Sequence, residues 1–491
     1  MPQPILLSVE TPMTRGAVIL HLKERERLLR WINAAPTGAW VGVLGPQGSG
    51  KTQLAHALAE QVATDRGVPL MLITCRGRRL SAVLRECIWR VAPEASLVDD
   101  ASKDDASKDD TRITVRFRDV FATRPAVLVF DDLDDCDALS ALALPGLVGI
   151  VASRASAVPV PSVCLREIAP DEAVELLATE SGALASDAAL AKICGLVQKS
   201  PFALSLVAAD LAAAPSTLPS DALRLLGDEH RRLRRLTRHD DLDLAHGAAL
   251  AFAYHRLSVT AQRVLRQLSV IPDAFTGELA AYVCDDAAVV IGELVRRKWL
   301  HFNSGTGRYS WQPAVRAFVR ERLASSESVA AELRHAQGVV ALARAITAEH
   351  ATRNMAAALR NYDALRPQID AAFARLQPDA HPLKFKAAKL LIDLCRAVAI
   401  ALPHRAVAHE QAAWLSAAIG AYRTLSDVRG EMLALGQLAV FHLACDEVQA
   451  ALKCYERIQR LSHERAPRSA QREPGNAETP IGQFFRTLRA E

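Results

Sequence analysis

Gly45-Pro46-Gln47-Gly48-Ser49-Gly50-Lys51-Thr52 stands between the apolar run Ala39 to Leu44 and a helical pattern that begins near Gln53. Read together, these pieces predict a strand, a loop and a helix. Glycines at 45, 48 and 50 let the loop fold into a concavity whose backbone N–H groups point inward, and the helix beyond adds the positive end of its dipole. Such a cradle suits a polyphosphate. Lys51 would place a point charge at the β- and γ-phosphates, and the Thr52 hydroxyl is the expected ligand of Mg2+. The candidate phosphate-contacting set therefore runs through Gly45, Pro46, Gln47, Gly48, Ser49, Gly50, Lys51, Thr52 and Gln53.

Three more short apolar runs follow, at Val68 to Thr74, Ala126 to Phe130 and Leu147 to Ala152, with helical stretches between them. That alternation predicts a parallel sheet covered on both faces. Phe130-Asp131-Asp132-Leu133-Asp134-Asp135 closes one run with carboxylates. In a phosphate-loop domain an acid at the end of a buried strand helps to hold Mg2+, and its neighbour can polarise the attacking water. Asp131 is assigned to the metal and Asp132 to the water. Ser153-Arg154 follows the next run, at an edge where the guanidinium of Arg154 can reach the γ-phosphate and so distinguish ATP from ADP. Between the second and third strands, Asp99 to Asp110 repeats DDASK in tandem with no apolar residue larger than alanine, and reads as a disordered acidic insert. A calcium loop is the competing reading there, but the glycine turn and terminal glutamate it needs are missing.

The chain has 491 residues, too many for one core, and about three or four domains are expected. Its net charge of +4 is too mild to argue for nucleic acid by itself. Nine scattered cysteines, without a C-x-x-C pair, read as buried thiols rather than disulfides or a zinc site. No apolar stretch reaches the roughly eighteen residues that span a bilayer, and Met1 to Gly16 lacks a signal-peptide core, so a cytoplasmic protein with no membrane partner is expected.

Beyond the sheet the pattern is helical. Pro170-Asp171-Glu172 reads as a helix start, and Pro201 opens another with its φ already set. His230 to His239 is strongly basic and reads either as a solvated helix face or as a phosphate-backbone contact. Short helices follow, with Phe275 to Cys284 among them; then come Leu300-His301-Phe302, a glycine turn at 304–307 and Arg308-Tyr309-Ser310-Trp311, which together describe a winged-helix module. From Ser326 to about Ser462 nearly everything is helical, punctuated into hairpins by prolines at 367, 378, 382 and 403. Ile481 to Arg486 could form a short amphipathic end beyond a Pro/Arg/Glu-rich stretch.

The combination of GPQGSGKT, VLVFDDLDD and GIVASR resembles the STAND-class signal-transduction ATPases of NB-ARC type, over roughly residues 17 to 462. That resemblance implies ATP/ADP with Mg2+ as cofactors. It also implies that Arg25, within Glu24-Arg25-Glu26, packs beside the adenine, although Leu22-Lys23 replaces the family's Val-Gly. Lys199-Ser200-Pro201-Phe202 matches the family's Gly-Leu-Pro-Leu at Pro201, which would lie against the base. Gln312 stands where relatives carry the winged-helix histidine that holds ADP; an amide can bond a phosphate without imidazolium charge, which implies a looser closed state. The last helix pair is similar to a tetratricopeptide repeat (TPR), with Leu438, Ala439, Ala451 and Tyr455 at its packing positions.

The expected fold class is thus an α/β P-loop NTPase domain followed by all-α helical and winged-helix domains and a C-terminal α-helical, TPR-like region. Its boundaries are an extended lead-in over 1–16, the NTPase domain over 17–165, a helical lid over 166–240, the winged helix over 241–325, the helical repeats over 326–462 and a mostly disordered tail over 463–491. The expected function is a slow ATPase, with Asp132 and Lys51 catalytic, that serves as a conformational switch. ATP would favour a homo-oligomer, and a protein partner would bind the C-terminal helices; with no effector domain visible in the chain, the output would pass through a partner. A DNA-associated regulator or loader using the winged helix, and a scaffold that binds nucleotide without hydrolysis, are the competing readings.

Overall fold

The computed structural model describes residues 21–465 except 36–37, 93–105, 135, 138, 156, 166–167, 237–240, 352–354, 378–380 and 407. The lead-in, residues 99–105 of the acidic insert, the end of the basic stretch and the segment from 466 onward lie outside the described residues. Two compact units form. One reaches Leu376 and takes in Ala397–Arg405, and the other holds Gln377–Arg396 and the chain from Ala406.

The first unit begins with α1 (Leu22–Ala34), β1 (Ala39–Leu44), α2 (Lys51–Arg66), β2 (Leu70–Thr74), α3 (Leu80–Val91), α4 (Ala106–Phe121), β3 (Ala126–Asp131), β4 (Leu147–Ser153) and β5 (Ser162–Cys164). The strands make one parallel sheet in the order β2-β3-β4-β1-β5. Every residue of β1 and β4 is buried, because helices cover both faces. The two-residue period of a strand sorts the side chains. Val41, Val43, Val127 and Val129 meet Leu28, Ile32, Leu54 and Leu58 of α1 and α2. On the opposite face Trp40, Leu128 and Phe130 meet Leu84, Ile88, Phe117 and Phe121 of α3 and α4. Burying each of these large side chains contributes about 2 kcal/mol.

Residues 106–110 correct the disorder expected across 99–110, since α4 already begins at Ala106. Its anchor lies further on, where Ile113, Phe117 and Phe121 recur every fourth residue and dock on the sheet. Once that turn is fixed, adding residues N-terminally costs little, and the alanine- and lysine-bearing repeat winds back as helix.

Gly149 of β4 pairs with Trp40 of β1. A β-carbon at 149 would lie 2.2 Å from the Trp40 ring, which fills that space. Gly149→Ala should therefore overpack the sheet face and cost about 1–3 kcal/mol, read as a lower urea midpoint with an unchanged slope.

Helices α5 (Pro170–Ser181), α6 (Ala188–Leu196), α7 (Pro201–Ala213), α8 (Pro219–Leu236) and α9 (Asp241–His255) come next, with α9 packed on α7 and α8. Pro201 opens α7 from N1, as its fixed φ predicts. Asp210 of α7 is buried between Arg256 and Arg297, whose Nη1 is 2.7 Å from it, and this ties α7 to the segments that follow.

Then come α10 (Val259–Leu268), β6 (Phe275–Thr276), α11 (Gly277–Val283), α12 (Ala287–Arg296), β7 (His301–Asn303), β8 (Arg308–Ser310) and α13 (Pro313–Arg320). The hairpin forms around the glycine turn. Phe275–Thr276, expected to be helical, instead pairs with β8 as a third strand, because the Phe275 ring is drawn onto Tyr309 and Trp311. Helices α14 (Ser325–Ala351) and α15 (Met355–Arg375) close this part of the unit. Pro367, expected to end a helix, lies inside α15. Neighbouring buried residues Leu365, Gln368, Ile369 and Ala372 hold the helix through the break in its ladder.

The remaining helices are α16 (Lys384–Val398), α17 (Leu402–Arg405), α18 (Ala408–Thr424), α19 (Val428–Ala444) and α20 (Val448–Arg465). In the second unit α18 packs on α19 and α19 on α20, breaking near Cys445 as expected. Leu438, Ala439 and Ala451 are buried in that pair, and the buried Glu431 takes Arg423 from α18 and Arg457 from α20. Among the described residues no helix is long and apolar enough to cross a membrane.

Candidate active site: a phosphate loop at the strand ends

The sheet register sets the site. Leu44 pairs with Ser153 and Asp131 with Ala152, so the carboxyl ends of β1, β3 and β4 finish level. Crevices at such strand ends are where open α/β sheets bind ligands. The loop leaves β1 at Gly45, whose φ is +150°, and turns at Gly48 and Gly50 with φ of +78° and +92°. Its backbone approaches neighbours closely at Gly45 and Gly48. A β-carbon at Gly48 would lie 2.8 Å from the His246 ring, and one at Gly45 would lie 2.9 Å from the Leu165 carbonyl.

Lys51 opens α2 with only 8% of its surface exposed, and its Nζ donates 2.8 Å to the Pro46 carbonyl. Burial lowers its pKa, while the acids Asp132 and Asp131 pull the other way. The ammonium thus bonds a neutral oxygen inside the loop, an arrangement a phosphate could improve on. Thr52 Oγ1 donates 2.8 Å to Asp131 Oδ1, so the two residues assigned to Mg2+ meet across 79 positions of sequence. Burial pushes the Asp131 carboxyl up to about 6, against the opposing pull of the Thr52 hydrogen bond. A carboxylate whose charge is so poorly compensated fits a cation. Among the described residues no group of three or more His, Cys, Asp and Glu could hold a metal by itself. The hydroxyl–carboxylate pair suits Mg2+, which takes its other ligands from phosphate and water.

Asp132 follows with φ +59°, a left-handed conformation that aspartate tolerates. Ser153 Oγ, donating 2.7 Å to the Leu133 carbonyl, pins this turn to β4. The Asp132 carboxylate lies 3.1 Å from Arg154 Nε and 3.3 Å from Arg76 Nε. Arg154 also reaches Asp134 at 3.4 Å, so the sensor candidate is engaged with acids. No motif marks Arg76, which arrives from the turn after β2 only because β2 lies beside β3.

The other candidates fare differently. Ser200 and Phe202, on either side of Pro201, bond the Gly48 carbonyl at 3.5 and 3.4 Å, which places the start of α7 against the loop. Arg25 donates 2.7 Å to Gln61, more than two turns along α2 from Thr52. Gln53 is exposed on the first turn of α2. Gln312 stands at the N-cap position of α13, where its side chain makes no capping hydrogen bond. Two histidines that no motif marks stand against the loop. His21 Nε2 is 2.9 Å from the Ser49 carbonyl, and His246 Nε2 is 2.7 Å from Ser200 Oγ.

Comparison with known proteins agrees over the sheet. Residues 23–160 match the family model described as AAA ATPase domain. No curated protein sequence matches the chain. Among solved structures, a STAND protein with a tetratricopeptide repeat sensor from Pyrococcus horikoshii aligns at 14% identity and TM-score 0.45, covering 91% of this chain and 77% of that one. A Walker-type ATPase of Pyrococcus abyssi aligns at 14% identity and TM-score 0.32, covering 64% of this chain and 100% of that one. The ORC2 protein of Aeropyrum pernix, in ADPNP–ADP complexes, aligns at 12% identity and TM-score 0.29, covering 63% of this chain and 96% of that one. Loop geometry, strand order and the matched model converge on a P-loop ATPase domain over residues 23–160, similar to the AAA ATPase domain and followed by a long succession of helices.

Proposed function

We propose that the protein is an ATP/ADP-operated conformational switch of the STAND type that hydrolyses ATP slowly and signals through protein partners. The observation that carries the reading is the meeting of Lys51, Thr52 and Asp131 at one loop while the start of α7 bonds the same loop at Gly48. A ligand that reshapes the loop therefore acts on the helices directly. Gly45 to Gln53 would cradle the phosphates, and Thr52 and Asp131 would hold Mg2+, which supplies charge neutralisation at the β- and γ-oxygens. Asp132 would orient water once its arginines let go. Arg154 would exchange Asp132 and Asp134 for the γ-phosphate, a contact that ADP cannot offer. Pro201 would border the base, Arg25 would steady α1 beside it, and Gln312, at the head of α13, would contact phosphate.

The β6-β8-β7 sheet with α10 to α13 reads as a winged helix. Its electrostatics do not favour DNA. The outer face of α12 carries Ala288, Val289 (86% exposed) and Gly292, with Arg296 as its exposed cation, while Arg297 turns in to Asp210. In the basic stretch Arg231 and Arg232 pair with Asp228 and Glu229. Protein contact suits these surfaces better.

The test compares wild type with Asp132→Ala, in a cytoplasm-like buffer with Mg2+. Wild type should turn over ATP slowly and enlarge by light scattering with ATP but not ADP. The variant should lose at least about tenfold in turnover and remain in the enlarged form. Equal turnover would remove Asp132 from the mechanism, and sizes indifferent to both nucleotides would sink the switch.

A further inference from the structure

Two successive carbonyls of the phosphate loop are held from outside by histidine-bearing contacts. His21, in a left-handed conformation just before α1, meets the Ser49 carbonyl at 2.9 Å. A carbonyl can only accept, so Nε2 of His21 carries the proton. The Gly48 carbonyl accepts from the Phe202 N–H at 3.4 Å and from the Ser200 hydroxyl at 3.5 Å. With its proton given to Gly48, the Ser200 oxygen accepts from His246 Nε2 at 2.7 Å. The result is a relay from His246 on α9 through Ser200 at the head of α7 to the backbone of the loop.

His246 is a packed member of this relay. It is 7% exposed, its ring meets Phe202 edge-on at 5.2 Å, and only a glycine at 48 leaves it room. A trans peptide points its C=O and N–H in opposite directions. The Ser49 N–H closes a turn onto the Pro46 carbonyl at 3.3 Å, the same oxygen that Lys51 occupies. A phosphate that drew in Lys51 and the loop amides and tilted the Gly48–Ser49 peptide would move the Gly48 carbonyl against Ser200 and Phe202. Small shifts in so closely packed a contact displace the helices that carry it.

We propose that His246, acting through Ser200, is the positioning residue that transmits occupancy of the phosphate loop to α9. This rests on the switch reading above and specifies its first mechanical link. The ligand is a nucleoside diphosphate or triphosphate at the loop; His246 touches the loop, not the phosphate.

Hydrogen exchange of α9 amides in the full chain, with and without ADP and Mg2+, tests the link, alongside binding of a fluorescent ADP analogue. In wild type, saturating ADP should slow exchange across 244–255 about tenfold. In His246→Ala, and independently in Ser200→Ala, the analogue should still bind, weakened by no more than about tenfold, while the ADP-dependent change at α9 falls below about twofold. His246→Gln, whose amide can donate to Ser200, should recover part of the response. Responses in both alanine variants equal to wild type would overturn the coupling, as would a wild type that binds ADP with α9 unmoved. A wild type that binds no nucleotide would instead overturn the nucleotide site itself, so the two failures are distinguishable.

Discussion

Lys51→Ala should weaken ADP and ATP binding at least a hundredfold, on the order of 3 kcal/mol, and abolish any ATP-dependent change in size. The effect is large because the residue is nearly buried within the loop and is flanked by Asp131 and Asp132. Removing the ammonium subtracts one attraction and also leaves two carboxyls facing the incoming polyphosphate. The Pro46 carbonyl loses its donor as well, although the Ser49 N–H still reaches it, so the loop should keep its turn and the chain its fold. Titration calorimetry with Mg2+ and each nucleotide provides the measurement. An affinity within about threefold of wild type would show that the cradle does not work through this charge.

Asp131→Asn should bring down Mg2+-dependent turnover about a hundredfold or more, because the amide keeps the partnership with Thr52 but offers the metal no charge. The variant also separates metal binding from stability through pH. Burial raises the Asp131 carboxyl from 3.8 to about 6, so the folded chain prefers the protonated group. Its contribution to stability is complete below the unfolded value and is lost as pH climbs through the folded one. Without Mg2+, wild type should therefore lose thermal stability relative to Asp131→Asn as the pH rises from about 4 to above 6. Mg2+ with nucleotide favours the charged form, so ligand-induced stabilisation of wild type should grow over the same window and be weak in the variant. Parallel melting curves for the two proteins that stay parallel from pH 4 to about 7.5 would contradict the assignment.

How much of this could be read from residues alone depended on the range of the forces involved. Ala39–Leu44 and Leu147–Ser153 were legible as strands because a segment buried on both faces must be apolar throughout, whatever its neighbours are. β5, only three residues long, carries too few positions for a period and was missed. The helix at 106–110 was misread because its own residues are polar, and the reason it forms lies in Ile113, Phe117 and Phe121 further along. Pro367 was read as a boundary from local stereochemistry, and the packing of α15 overrode it.

The phosphate loop, the alternation of strand and helix around it and the acids at the end of β3 are each written in contiguous residues, whose backbone preferences and chemistry act locally. Which distant groups meet there depends on how the chain packs. Packing set Asp131 on Thr52, brought Arg76 to Asp132 and put His246 against Gly48 across nearly two hundred positions. Such meetings follow from strand order and helix packing, which depend on the free energy of the whole buried surface and leave no spacing in the chain by which to foresee them.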